Sequence, residues 1–186
     1  MKKTTQKLAG SALLAALSIV FARLIVPMPN EFTRFSIEAV PIFIAGMLYG
    51  PVYGSMVGFV ADAVGCLFSG YGYNPLFCIP PILYGLCGGL LRPLLQRGVS
   101  LWKIALGFLP PVLFGSVLWQ SFTLAFAYGS GETLWQSYLG FLASRGIQFA
   151  VTYVVDVALV ALLFRTNVFY RLGYLPQWRK KDAENR

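Results

Sequence analysis

Six long apolar runs separated by short breaks constrain this chain more than any other feature. They cover roughly residues 8–26, 36–49, 52–68, 76–95, 101–128 and 134–164 of 186. The hydrocarbon core of a bilayer is about 30 Å thick and is crossed by about 20 apolar helical residues. Lipid offers no partner for backbone N–H and C=O groups, so each run has to satisfy its own as a helix. The pattern predicts an all-α integral membrane protein. It is a compact bundle of six transmembrane helices, a single unit over 1–186, with no soluble domain of any size. The breaks carry the expected chemistry: Pro27-Met28-Pro29-Asn30, Gly50-Pro51 and the Gly/Tyr-rich stretch 69–74. Only 12% of residues are charged, against about a quarter in soluble domains, and mean hydropathy is +0.66.

Lys2, Lys3 and Lys7 ahead of the first run resemble the start of a secretory leader. The run is about 19 residues long and lacks a convincing cleavage site, so it reads as a first membrane helix that is retained. The net charge of +8 raises the question of nucleic acid, and its distribution answers it. Lys2, Lys3, Lys7, Arg92, Arg97, Lys103, Arg165, Arg171, Arg179, Lys180, Lys181 and Arg186, twelve of fifteen basic residues, fall on one face of a six-span topology. The positive-inside rule makes that face, and both termini, cytoplasmic. The charge then reports topology and contact with anionic lipid rather than nucleic-acid binding. The exceptions are Arg23, Arg34 and Arg145, at or near the outer ends of helices one, two and six.

Ionisable residues within lipid are costly and usually face the bundle interior or water. Glu38, Asp62, Arg145 and Asp156 qualify, with Arg23 at the boundary and Gln120 and Gln148 as uncharged additions. Arg145, Gln148, Phe149 and Thr152 recur at i, i+3, i+4, i+7, which places them on one stripe of helix six. The stripe offers a guanidinium, an amide and an aromatic face to a ligand. Alternatively, Arg145 pairs with Asp62 or Glu38 and locks helices together. Asp62 can accept from a ligand or cap a neighbouring helix end, and Asp156, deeper, fits helix packing. Tyr71, Tyr73 and Phe77, with Asn74 among them, form either an interfacial belt or a stacking lid over a flat heterocycle.

The absent chemistry narrows the function. The chain has no histidine, no zinc-protease or nucleophile-elbow motif and no phosphate-binding glycine loop. No metal or cofactor is expected. Cys66, Cys78 and Cys87 lack metal-like spacing and read as small buried hydrophobes. Small residues at i, i+4 on helix one (Ser11, Ala15 and Ala12, Ala16) and on helix three (Gly54, Gly58, Ala61, Gly65) permit close helix contact or docking of another membrane protein.

Residues 34–51 (RFSIEAVPIFIAGMLYGP) and 54–65 (GSMVGFVADAVG) carry a family pattern. With Tyr73-Asn74-Pro75, Tyr84-Gly85 and Ala143-Ser144-Arg145, they resemble the substrate-binding S component of energy-coupling factor (ECF) vitamin transporters, most of all the folate-specific branch. The resemblance spans nearly the whole chain. It implies a non-enzymatic, multi-pass subunit of the bacterial cytoplasmic membrane that binds a vitamin in an outward-facing pocket. Such a subunit hands its cargo across with a shared module of one membrane coupling protein and two cytoplasmic ATPases. Ala12 and Ala16 match the family's docking motif on helix one, and Arg34, Asp62 and Arg145 match its arginine, aspartate and arginine. The implied ligand site comprises Arg23, Arg34, Glu38, Asp62, Tyr71, Tyr73, Asn74, Phe77, Gln120, Arg145, Gln148 and Phe149. Three arginines near one mouth suit the anionic tail of folate, and the aromatics suit its pterin ring. Glu38, Thr123 and Gln148 depart from the folate pattern, so another vitamin such as pantothenate stays open. A small membrane-embedded enzyme and a structural scaffold are the readings from other classes.

Overall fold

The computed structural model describes residues 2–23, 26–27, 34–35, 37–68, 74–129, 133–166 and 169. Among the described residues the helices group into six rods. The first is α1 (Lys2–Arg23). It starts before Leu8 because the lysine-bearing turn is helix-compatible. It ends before Val26 because the residue preceding a proline is pushed to extended geometry. Val26–Pro27 (β1) and Arg34–Phe35 (β2) then pair antiparallel, with Val26 opposite Phe35.

Of the next two rods, α2 (Ala39–Tyr49) is shorter than its apolar run, whereas α3 (Pro51–Leu67) has its run's length shifted by one residue. At 1.5 Å per residue they reach about 17 and 26 Å. Gly50, at φ 104°, makes the single-residue turn between them, a left-handed geometry that glycine adopts freely. Pro51 then opens α3, where its missing N–H is no loss. All eleven residues of α2 are buried, so protein rather than lipid surrounds it.

The fourth rod is a 3₁₀ turn, Pro75–Cys78, running into α4 (Ile79–Gln96). The fifth consists of α5 (Leu101–Pro110), a π-helical segment (Pro111–Trp119) and α6 (Gln120–Tyr128). Pro110 and Pro111 remove two consecutive donors, and the hydrogen-bond ladder beyond them re-forms in the wider i→i+5 register. The sixth rod, α7 (Leu134–Arg165), is 32 residues long. Thr4–Ala22, Pro75–Gln96, Leu101–Tyr128 and Leu134–Arg165 are long and apolar enough to cross a membrane; α2 and α3 are shorter apolar helices among them.

The packing is inside-out relative to a water-soluble protein. Leu13, Val52, Trp102, Phe114 and Ile147 are exposed, whereas Ser116, Ser121, Thr123, Arg145, Gln148, Thr152 and Asp156 are buried. Backbone-to-backbone contact joins α2, α3 and α4. A Cβ on Gly54 would meet the Gly85 carbonyl and the Gly46 backbone; one on Gly58 would meet the Pro81 carbonyl, and one on Gly89 the Pro51 backbone. Small residues at such contacts maximise dispersion between helices where lipid supplies no hydrophobic drive. Phe43 of α2 stacks on Phe108 of α5, with ring centroids 3.8 Å apart. Lys103 closes one end of the bundle, donating from Nζ to the carbonyls of Leu94 (2.8 Å) and Gly98 (2.7 Å) around the last turn of α4.

Candidate ligand-binding site

The polar interior is organised by α7. Arg145, Gln148, Thr152 and Asp156 are buried on one stripe, as i, i+3, i+7, i+11 spacing requires. The guanidinium carbon of Arg145 lies 5.6 Å from the centre of the half-buried Phe149 ring, within cation–π range. Thr152 donates its hydroxyl to the backbone carbonyl of Gln148 (3.1 Å), whose side chain is buried.

Toward the end of the bundle that holds residues 74–78 and 133–134 lies a cleft of about 700 Å³. Its walls are Ile79 and Leu83 of α4, Phe114, Leu118 and Trp119 of the π segment, Phe122 of α6, and Leu134, Trp135 and Tyr138 of α7. Among the described residues no charged side chain lines it. Leu134 and Tyr138 precede Arg145 by eleven and seven residues, so they continue the Arg145 face of α7. Two contacts hold the π wall. Trp119 donates its indole N–H to the Leu76 carbonyl (2.9 Å), and Tyr84 and Ser116 share a buried hydroxyl–hydroxyl bond of 3.0 Å. The cleft offers almost only apolar and aromatic surface and so suits a flat apolar group; Arg145, Gln148, Thr152 and Asp156 are not among its lining residues. Among the described residues no group of three His, Cys, Asp or Glu side chains could hold a metal.

The remaining expected residues fall into three groups. Asp62 is half-buried and accepts from the Cys78 thiol (Sγ–Oδ2, 2.7 Å). The bond ties α3 to Cys78, the residue before α4, whose N-terminus receives no side-chain cap. Asn74 also acts locally. Its side chain accepts from Leu76 N (3.1 Å) and caps the 3₁₀ turn, with Phe77 half-buried inside that turn. Glu38 is half-buried just before α2, and its carbonyl receives the Ser18 hydroxyl (2.8 Å). Gln120 is half-buried where α6 leaves the π segment. Arg23 closes α1 and Arg34 sits in β2; their side chains, and Tyr71 and Tyr73 altogether, lie outside the described residues. Ala12 and Ala16 are exposed on α1, while Ser11, Ala15 and Ser18 face the core. Sequence reasoning misses Trp119, Trp135 and Tyr138 as cleft walls, and Cys78 as the partner of Asp62.

Large apolar residues on the outer surface and buried polar residues within the bundle are the arrangement of a membrane-embedded protein. The family model described as ECF-type riboflavin transporter, S component, matches residues 2–165. The chain belongs to that family; its members are vitamin-binding subunits that work with an ECF module and are not enzymes. The fold agrees with this. A crystal structure of FolT bound with folic acid is similar at TM-score 0.71 and 23% identity, covering 86% of this chain and 92% of that one. The S component for biotin from an ECF-type ABC transporter is similar at TM-score 0.57 and 21% identity, covering 94% and 98%. Among curated relatives, the uncharacterized protein MG313 homolog of Mycoplasma pneumoniae is 29% identical over 115 residues, 61% of this chain and 40% of its own length. A UPF0397 protein of Streptococcus pneumoniae is 28% identical over 122 residues, 64% of this chain and 67% of its own.

Proposed function

We propose that this S component binds folate, with the pterin ring in the aromatic cleft and the acidic tail directed at Arg145. The observation that carries the reading is the buried Arg145 guanidinium on the same face of α7 as the cleft. A guanidinium fork matches a carboxylate with two parallel hydrogen bonds. The likeness to FolT over most of both chains supports the same ligand class. The family description favours riboflavin as a second reading. Its ring system suits the cleft equally well but, carrying no carboxylate, makes less use of Arg145.

The cleft end of the bundle faces outward and both termini face the cytoplasm of a bacterial plasma membrane, as the basic residues argue. Ala12 and Ala16, exposed on α1, form a flat strip against which the coupling protein packs, and the two cytoplasmic ATPases act through that protein. The test is the ligand carried through purification from cells grown with a full vitamin supply. Absorbance and mass spectrometry of the denatured sample are expected to show a pterin. A flavin transfers the assignment to riboflavin, and neither at stoichiometric level contradicts the site.

A further inference from the structure

Charge is scarce in the described helices. From Leu8 to Ala22, through α2, from Ile79 to Leu91 and from Ile104 to Tyr128 there is no Asp, Glu, Lys or Arg. Asp62 on α3 and Arg145 and Asp156 on α7 are the exceptions, and Asp156 is the most deeply buried of them. It is wholly inaccessible, at 0% exposure, and neither carboxyl oxygen has a hydrogen-bond partner among the described residues. Its electrostatic neighbours make matters worse. Glu38 and Tyr84 share its field, and the Tyr84 hydroxyl is already engaged with Ser116.

The elements packed on α7 are α2, α5, the π segment and α6, and among their described residues none supplies a compensating cation. Beside and within α2 the ionisable groups are Glu38 and Tyr49. On α5 the single cation is Lys103, whose ammonium is held by the Leu94 and Gly98 carbonyls. The π segment has none, and α6 has only Tyr128 at its far end. Tyr84 and Cys87 approach from α4. On α7 itself Arg145 and Arg165 are eleven and nine residues away, about 16 and 14 Å along the axis. At those distances a unit pair interacts by only about 1 kcal/mol even at an effective dielectric of 20. Desolvating a carboxylate costs several kcal/mol.

We propose that Asp156, with Glu38 near it, forms a buried site for one small positive charge, a proton or an alkali cation, at the deep end of the α7 stripe. The inference stands on the described core and is independent of which vitamin is bound. A proton needs no extra room. An alkali cation would draw on the carboxylate oxygens of Asp156 and Glu38.

The test uses the full chain purified in detergent, comparing wild type with Asp156→Asn, a neutral variant of nearly the same shape. If a proton is held, the folded state binds it and the unfolded state releases it, so wild-type stability falls as pH rises. The apparent Tm of wild type then drops relative to the variant by about 5 °C from mildly acidic to mildly alkaline buffer. Infrared spectra of wild type show a protonated-carboxyl band that the variant lacks. If a cation is held, sodium or potassium raises wild-type Tm over choline at equal ionic strength and leaves the variant unmoved. The proposal is overturned if both proteins follow the same pH and cation curves. Should the variant fail to fold, wild type alone decides: neither a buried-acid band nor a cation effect on Tm overturns it.

Discussion

Gly85→Ala tests the packing that positions the site. A Cβ at residue 85 would meet the carbonyl of Gly54 and the backbone N of Ser55, whereas ordinary contact begins at 3.4 Å. Backbone cannot rotate away as a side chain can, so α3 and α4 must separate by roughly 1 Å, enough to forfeit a quarter to a half of the dispersion between facing atoms. Overpacking of this kind costs about 1–3 kcal/mol, and a rigid backbone obstacle puts the cost at the upper end. Alanine returns about 1 kcal/mol of helix propensity. The net loss is about 2 kcal/mol, or roughly 4–8 °C in Tm for a chain of this size. The control is Gly140→Ala on α7, where an added Cβ meets nothing within 4 Å. There only the propensity gain remains, and stability should rise by about 0.5–1 kcal/mol. Circular dichroism melts of the detergent-purified variants, at one scan rate, read both. Gly85→Ala melting at or above wild type would refute the backbone contact between α3 and α4.

Three further outcomes follow from the site. Arg145→Ala should weaken folic acid binding by about 10- to 100-fold, the worth of one charge-assisted hydrogen bond, with the melting curve close to wild type; a lost fold with unchanged affinity in the surviving protein would make Arg145 purely structural. Trp119→Phe removes the indole bond to the Leu76 carbonyl and should cost about 1 kcal/mol in thermal stability, together with a several-fold loss of ligand affinity by fluorescence titration. Ala12→Leu with Ala16→Leu should leave binding by the purified subunit intact and abolish vitamin uptake in cells; normal uptake would dismiss the docking strip.

The rods are legible in the sequence because lipid forces a simple rule: apolar length with polar breaks. The α7 stripe is legible for the same reason, since Arg145, Gln148 and Thr152 obey one helical period. The short length of α2 is not, because it follows from burial on every side, which depends on its neighbours. Nor is the pairing of Gly54 with Gly85, since small residues mark a close contact without naming the partner. The cleft is hidden because the π segment breaks the 3.6-residue period through residues 111–119, so helical spacing does not group Phe114, Leu118 and Trp119. Asn74 carries a clearer local signal than its place among aromatics suggests. An Asn before Pro75 is a turn cap by local chemistry, and that is the role it has. Cys78 reads as a hydrophobe in its apolar run, yet its thiol is what Asp62 meets.

The most direct test of the account is isothermal titration of the purified chain, freed of co-purified ligand, with folic acid, riboflavin, pantothenate and biotin in parallel. The account predicts one-to-one binding of folic acid with submicromolar affinity, at least tenfold tighter than any of the other three, a margin of about 1.4 kcal/mol. Tighter binding of riboflavin would overturn the folate assignment within the same family. No binding of any of the four would contradict the placement of a vitamin between Arg145 and the aromatic cleft.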